Sequence, residues 1–203
     1  DGAPLARAHA RQHGLADVVG GVHRTVPITS RPGSATGTGS AADDGDLVLD
    51  VDRDALRAAF SERTRLVLVN TPHNPTGTTL SAADAARLEA ITAGSNIVIL
   101  SDEVYEHVVF DGAQHHSMSR YPALAERAVV VTSFGKTFHT TGWKVGYCVG
   151  PQALIAEVIR VHQFMTFTVH TPSQMAFAEF VARDPGAQAL SPFYQRKRDC
   201  FCN

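Results

Sequence analysis

The chain has little cysteine, few aromatics, no excess of basic charge and no long hydrophobic run. Its three cysteines, Cys148, Cys200 and Cys202, are an odd number without regular spacing, which argues against a disulfide scaffold. Cys200-Phe201-Cys202 brings two thiolates to a chain end, short of the four ligands of a structural zinc site. All three read as reduced, incidental thiols. The net charge of −2 gives no electrostatic handle for nucleic acid or an anionic membrane. No apolar stretch approaches the ~20 residues a transmembrane helix needs. The opening Asp1-Gly2-Ala3-Pro4 shows neither the basic nor the apolar region of a secretory signal. Residues 1–19 contain no Phe, Tyr or Trp. With 44% hydrophobic and 19% charged residues, the composition is that of an ordinary folded domain, and the reading is a soluble, cytoplasmic one.

What is present is an alternation of short apolar runs with helical patterns. Val22 to Ile28, the run ending at Asn70, Asn96–Ser101 and Ala128–Ser133 read as strands, with Lys144 to Val149 as a further one. Asp52 to Phe60 reads as a helix with Leu56 and Phe60 on one side. Ser81 to Thr92 reads as a second, capped by Ser81, with Leu88 and Ile91 inward. Gln152 to Phe164 carries Leu154, Ile155, Val158, Ile159 and His162 on one stripe. Pro172 introduces a last helix from Ser173 to about Arg183. Residues 30–46, rich in Gly, Ser, Thr and Asp, read as an exposed flexible loop. Within it Gly37-Thr38-Gly39-Ser40-Ala41-Ala42 matches a dinucleotide fingerprint on paper, but no strand abuts Gly37 and no helix starts after it. His115-His116 reads as a solvated loop. The alternation predicts an α/β fold, a mostly parallel sheet flanked by helices.

Three strand ends carry chemistry. Ala128–Ser133 leads into Phe134-Gly135-Lys136, with a second cation, Lys144, eight residues on. A lysine amine held at a strand's carboxyl end is a candidate nucleophile for Schiff-base formation, while Ser133 and Lys144 suit a phosphate. The strand before Asn70 runs into Thr71-Pro72-His73-Asn74-Pro75-Thr76-Gly77, where two prolines fix the backbone and present the Asn74 amide rigidly. The strand before Asp102 ends in Asp102-Glu103-Val104-Tyr105. An ionised Asp102 there suits a protonated ring nitrogen, and Tyr105 can donate to a ring oxygen. Taken singly, each has a plainer reading: an Asn-Pro turn, a helix cap at Asp102, a surface turn with two solvated lysines.

In this order, Asn74-Pro75-Thr76-Gly77, Asp102 to Tyr105, Ser133 to Lys136 and then Lys144, the motifs resemble the class I branch of the fold-type-I pyridoxal-phosphate aminotransferases. Thr141-Gly142-Trp143-Lys144-Val145-Gly146-Tyr147 and His162 to Val169 are similar to the methionine aminotransferases and the kynurenine/glutamine transaminase group. The resemblance implies pyridoxal 5'-phosphate as cofactor and an amino acid, methionine-like or aromatic, and a 2-oxo acid as substrates. It implies that Lys136 forms the Schiff base and shuttles a proton, and that Asp102 keeps the ring nitrogen protonated. Asn74 and Tyr105 would bond the ring's phenolic oxygen, and Ser133 and Lys144 would hold the phosphate. It also implies a homodimer, with Thr166 to Thr171 at the two-fold interface.

The same resemblance divides the chain into an unmatched segment 1–19, a partial cofactor-binding large domain over 20–198 and an odd tail, 199–203. The family's phosphate-binding loop and the aromatic that stacks on the ring are expected upstream. The arginine that grips the substrate carboxylate is expected in a following small domain. Two alternatives stand beside transamination: a pyridoxal-phosphate C–S lyase, which would share this site, and a catalytically silent fragment.

Overall fold

The computed structural model describes residues 28–32, 47–51, 53–183 and 189–202. The chain divides into two compact units, Asp1–Arg63 and Thr64–Asn203. In the first, β1 (Ile28–Pro32) pairs antiparallel with β2 (Leu47–Val51), Ile28 opposite Val51 and Pro32 opposite Leu47. Helix α1 spans Arg53–Ala59, within the 52–60 expected from sequence. The strand expected over 22–28 lies outside the described residues except for Ile28, which opens β1. The loop expected over 30–46 is corrected at its start. Ser30, Arg31 and Pro32 belong to β1, because β2 offers them a ladder, and the proline sits at the strand's end, where a missing N–H is tolerated. The rest of that loop, the Gly37 to Ala42 fingerprint included, lies outside the described residues.

The second unit is built on a four-stranded sheet in the order β3-β4-β5-β6. These are β3 (Leu66–Asn70), β4 (Val98–Asp102), β5 (Ala128–Ser133) and β6 (Gly146–Val149). The first three run parallel and β6 antiparallel, so the sheet is mostly parallel, as the alternation of elements predicts. The register places Asn70 beside Asp102 and Asp102 beside Val131. The chemistry-bearing residues therefore lie together at the carboxyl ends of three adjacent strands, where open parallel sheets take their ligands.

Helix α2 (Ala82–Thr92) makes the crossover from β3 to β4. Ser81 caps it in a reciprocal box: its Oγ accepts from the Asp84 amide at 3.2 Å, and Asp84 Oδ2 accepts from the Ser81 amide at 3.1 Å. At the other end Arg127 Nη1 donates to the carbonyls of Thr92 at 2.8 Å and Ser95 at 2.7 Å, satisfying acceptors the helix leaves open. Leu88 is buried as expected, and Ile91 half-buried. The crossover from β4 to β5 carries a 3₁₀ turn at Met118–Arg120 and the short helix α3 (Pro122–Ala125). Ile99, Met118 and Leu124 are completely buried and, with Leu88, Ala128, Val129 and Phe177, form the core.

After β5 come the single turn α4 (Phe134–Thr137), β6, α5 (Gln152–Met165), α6 (Thr171–Arg183) and α7 (Leu190–Cys202). The apolar stripe expected along α5 is only partly inward. Leu154, Ile155 and His162 are half-buried, while Ile159 is 62% exposed. Helix α7 has no counterpart in the sequence reading, and the tail set apart at 199–203 is continuous with it as far as Cys202. Its polar sequence is held by contacts at a distance. Arg198 pairs with Asp111 and stacks on Phe110, Gln195 accepts from the Asp111 amide at 3.0 Å, and Tyr194 meets His139 at 2.8 Å. Among the described residues no helix is long and apolar enough to cross a membrane.

Candidate functional site

The turn after β3 is tied down at both ends. The Thr71 amide donates to the Asp102 carbonyl at 3.0 Å, and Thr71 Oγ1 accepts from the Leu80 amide at 3.1 Å. The His73 amide donates to Thr78 at 2.8 Å and Gly77 donates back to His73 at 2.7 Å, with Gly77 at φ +73°. The Thr71–Pro72 and Asn74–Pro75 peptides are cis. The Asn74 side chain is exposed on this braced turn, and its Nδ2 donates to the Tyr105 hydroxyl at 3.4 Å.

Asp102 closes β4 half-buried, with Oδ1 accepting from the Val104 amide at 3.3 Å. The residues beyond it form hydrogen-bonded turns, not the helix that a capping aspartate would start. Burial pushes its carboxyl above the usual aspartate range, and the charge of Glu103 adds to this; the Val104 amide and Lys136 oppose it. Tyr105 lies in the turn that follows. Lys136, on α4, holds its Nζ 5.5 Å from the centroid of the Tyr105 ring. Asn74, Tyr105 and Lys136 thus form a connected group beside Asp102.

Ser133 ends β5 and precedes α4, yet its hydroxyl makes no capping bond to that helix. The loop beyond Lys136 folds back because Gly135 has no side chain: a Cβ there would lie 2.9 Å from the Thr141 Cα. The Gly135 carbonyl accepts instead from the Thr140 amide at 3.0 Å and Thr141 Oγ1 at 3.1 Å. Gly146 serves the same end on β6, where a Cβ would lie 2.5 Å from the Thr132 carbonyl oxygen. Between them Lys144 is exposed and left-handed at φ 55°, ψ 41°, a conformation costly for a residue with a Cβ.

Sequence reasoning misreads His115. Its side chain is 11% exposed, and its Nε2 lies 2.8 Å from Glu103 Oε2. Glu103 itself is fully buried and also accepts from Ser101 Oγ at 2.7 Å and the Met118 amide at 3.0 Å. Burial alone would raise the Glu103 carboxyl; the bonds from His115, Met118, Ser101 and Ser117 outweigh it and hold the group below the usual glutamate range. His116 Nδ1 meets the Tyr121 hydroxyl at 2.7 Å, so neither histidine is a solvated loop residue. Asn70 is a second residue the motifs pass over. Its place at the last position of a strand, one residue before Thr71-Pro72, is the available signal.

The donor set fits pyridoxal phosphate by its chemistry. That molecule carries an aldehyde and a hydroxyl on adjacent ring carbons, so an amine and phenolic or amide donors must stand together, as Lys136, Tyr105 and Asn74 do. Its ring nitrogen asks for a carboxylate, which Asp102 provides at the neighbouring strand end. Among the described residues no cluster of His, Cys, Asp and Glu is suited to a metal ion.

The family model described as aminotransferase class I and II matches residues 48–199. The chain is 51% identical over 154 residues to a methionine aminotransferase of Escherichia coli strain K12, covering 75% of this chain and 40% of that protein. It is 39% identical over 159 residues to a kynurenine–oxoglutarate transaminase of Dictyostelium discoideum, covering 75% of this chain and 36% of that one. The structure of N-succinyldiaminopimelate aminotransferase from Mycobacterium tuberculosis superposes with a TM-score of 0.79 at 35% identity, over 93% of this chain and 46% of that chain. The chain therefore spans about two fifths of the length of the curated relatives it matches.

Proposed function

The chain belongs to the class I and II aminotransferase family, and on that premise we propose that it carries the pyridoxal-phosphate site of an enzyme exchanging an amino group between an amino acid and a 2-oxo acid. A methionine-like or aromatic amino acid is the proposed donor, in keeping with the relatives it resembles. The observation that carries this reading is the Lys136–Tyr105–Asn74 group beside Asp102.

Bound there, pyridoxal phosphate supplies an electron sink for the electrons left when the substrate's α-carbon loses its proton. Lys136 Nζ would hold the aldehyde carbon covalently and, once released, carry that proton. The Asp102 carboxylate would hold a proton on the ring nitrogen. Tyr105 Oη and Asn74 Nδ2 would donate to the phenolic oxygen. The Ser133 hydroxyl, which makes no capping bond, and the Lys144 ammonium would bind the phosphate. A homodimer belongs to the same proposal. Phe164, Met165 and Phe167 are 84%, 78% and 78% exposed at the end of α5 and in the segment 166–171, an apolar surface suited to a two-fold contact.

The test is covalent trapping. The protein that carries this chain, incubated with pyridoxal phosphate and reduced with borohydride, should show one pyridoxyl group on the peptide containing Lys136. Lys136→Ala should lose that adduct and all transamination of methionine or kynurenine while keeping its fold by circular dichroism. A persistent lysine adduct in the variant would refute the assignment.

A further inference from the structure

The Asn70 side chain uses both ends of its amide on the two turns that bear the proposed ring contacts. Its Oδ1 accepts from the Asn74 backbone amide at 2.9 Å. Its Nδ2 donates to the Asp102 backbone carbonyl at 3.1 Å. An amide N–H can only donate and a carbonyl can only accept, so the two partners fix which way the Asn70 amide points. Asn70 and Asp102 are also register neighbours at the last positions of β3 and β4. One half-buried amide therefore joins the turn that presents Asn74 to the strand end that presents Asp102. The bonds from His73 and Gly77 hold the turn's tip on itself, and the Thr71 amide ties its start to Asp102. The Asn70 bonds reach further, to Asn74 itself.

We infer that Asn70 is a positioning residue that sets Asn74 and Asp102 relative to each other and so fixes the ring between them. The inference rests on the pyridoxal-phosphate reading of the site. A ring held by donors on one turn and a carboxylate on another is sensitive to their separation, and a misplacement of about 1 Å is enough to cost catalysis heavily. A group that only stabilised the fold would leave the protonation behaviour of the bound cofactor unchanged.

The experiment compares Asn70→Leu, Asn70→Asp and Thr71→Val with the wild-type protein that carries this chain. Thr71→Val is the structural control, because it removes the bond from Leu80 to the same turn and leaves both Asn70 bonds in place. Two quantities are read: the dissociation constant for pyridoxal phosphate, and the pH at which the absorbance of the bound cofactor changes. Asn70→Leu should weaken binding at least tenfold and move that pH upward by half a unit or more, since a phenolate poorly served by Asn74 holds its shared proton more tightly. Asn70→Asp, which keeps the acceptor for Asn74 and loses the donor to Asp102, should fall between. Thr71→Val should lower the melting temperature and leave the pH midpoint in place. Wild-type affinity and midpoint in a folded Asn70→Leu or Asn70→Asp would overturn the inference. So would an equal midpoint shift in Thr71→Val, or failure of both Asn70 variants to fold. Absence of pyridoxal phosphate from Lys136 in the wild-type protein would instead remove the site reading, and this inference with it.

Discussion

The Lys136 Nζ lies over the Tyr105 ring at 5.5 Å from its centroid, so the short helix after β5 and the turn after β4 meet through one side-chain pair. The same tyrosine takes a hydrogen bond from Asn74 at 3.4 Å through its hydroxyl. Ring and hydroxyl thus have separate partners, and two substitutions separate them. Tyr105→Phe keeps the ring under Lys136 and loses the donor proposed for the cofactor's phenolic oxygen. It should weaken pyridoxal phosphate binding by about 0.5–1.5 kcal/mol, the net worth of one hydrogen bond, and raise the pH at which the bound cofactor's absorbance changes. Tyr105→Leu removes the ring as well and should lose more. Equal effects in an absorbance titration would show that the Lys136–Tyr105 contact contributes nothing.

Asp102 and Glu103 are adjacent in sequence and opposed in electrostatics. Asp102 is held above its ordinary value of 3.8, mainly by burial. An acid whose folded-state value is raised binds protons better in the native state, so its ionisation costs stability as pH rises above 3.8. Asp102→Asn should therefore make the cofactor-free protein as stable as wild type or more so at pH 7, and that gap should close as pH falls toward 3.8. If Asp102 holds the ring nitrogen as proposed, the same substitution should remove most of the transamination rate, because a ring nitrogen without its carboxylate is a poor electron sink. Urea unfolding at several pH values checks the first outcome, and a marked loss of stability at pH 7 would contradict it.

Glu103 gives the mirror image. Its folded-state value is lowered, so its contribution is present above 4.5 and is lost as pH falls through the folded value. Glu103→Gln turns an amide toward His115 in a site with 0% exposure. It should cost about 1–3 kcal/mol near neutrality, the range for leaving a buried polar group without its partner. That difference from wild type should shrink as pH falls below 4.5, where the unfolded chain's Glu103 takes up a proton, and vanish once pH passes below the lower folded value. A difference independent of pH would mean that packing, and not charge, holds this site.

Much of the second unit is legible from sequence because its signals are local. The run Ala128–Ser133 and the helix Ala82–Thr92, capped by Ser81, match the structure at their ends, and β4 is displaced by one or two residues. The Asn74, Asp102–Tyr105 and Lys136 motifs announce themselves because each follows an apolar strand. What escapes is set by pairing at a distance. Helix α7 is too polar to show a clear stripe, and it is held by Arg198 on Asp111 and Phe110, which lie far off in the chain. The burial of His115 depends on Glu103, twelve residues earlier, with which it shares no motif. The tether from Asn70 to Asp102 follows from strand register, which no single strand's sequence contains.

Lys144 combines a charge with a backbone the charge does not need. At φ 55° it occupies a region that costs a residue with a Cβ about 1–2 kcal/mol and costs glycine little. If the lysine is there for its ammonium, strain and charge should separate on substitution. Lys144→Ala keeps the strain and loses the charge. Lys144→Gly loses both, though glycine returns about 0.4–1 kcal/mol to the unfolded chain's entropy. In the cofactor-free protein Lys144→Gly should therefore match or exceed wild-type stability, while Lys144→Ala, which keeps the strain, should only match it. In pyridoxal phosphate titrations the two should agree, each weakening binding by about 1.5–3 kcal/mol for one lost charged hydrogen bond. Lys144→Arg, which keeps a phosphate-binding cation in the same backbone, should recover most of that loss. Unimpaired cofactor affinity in Lys144→Gly would leave the lysine without the phosphate role and its left-handed backbone as a feature of the loop alone.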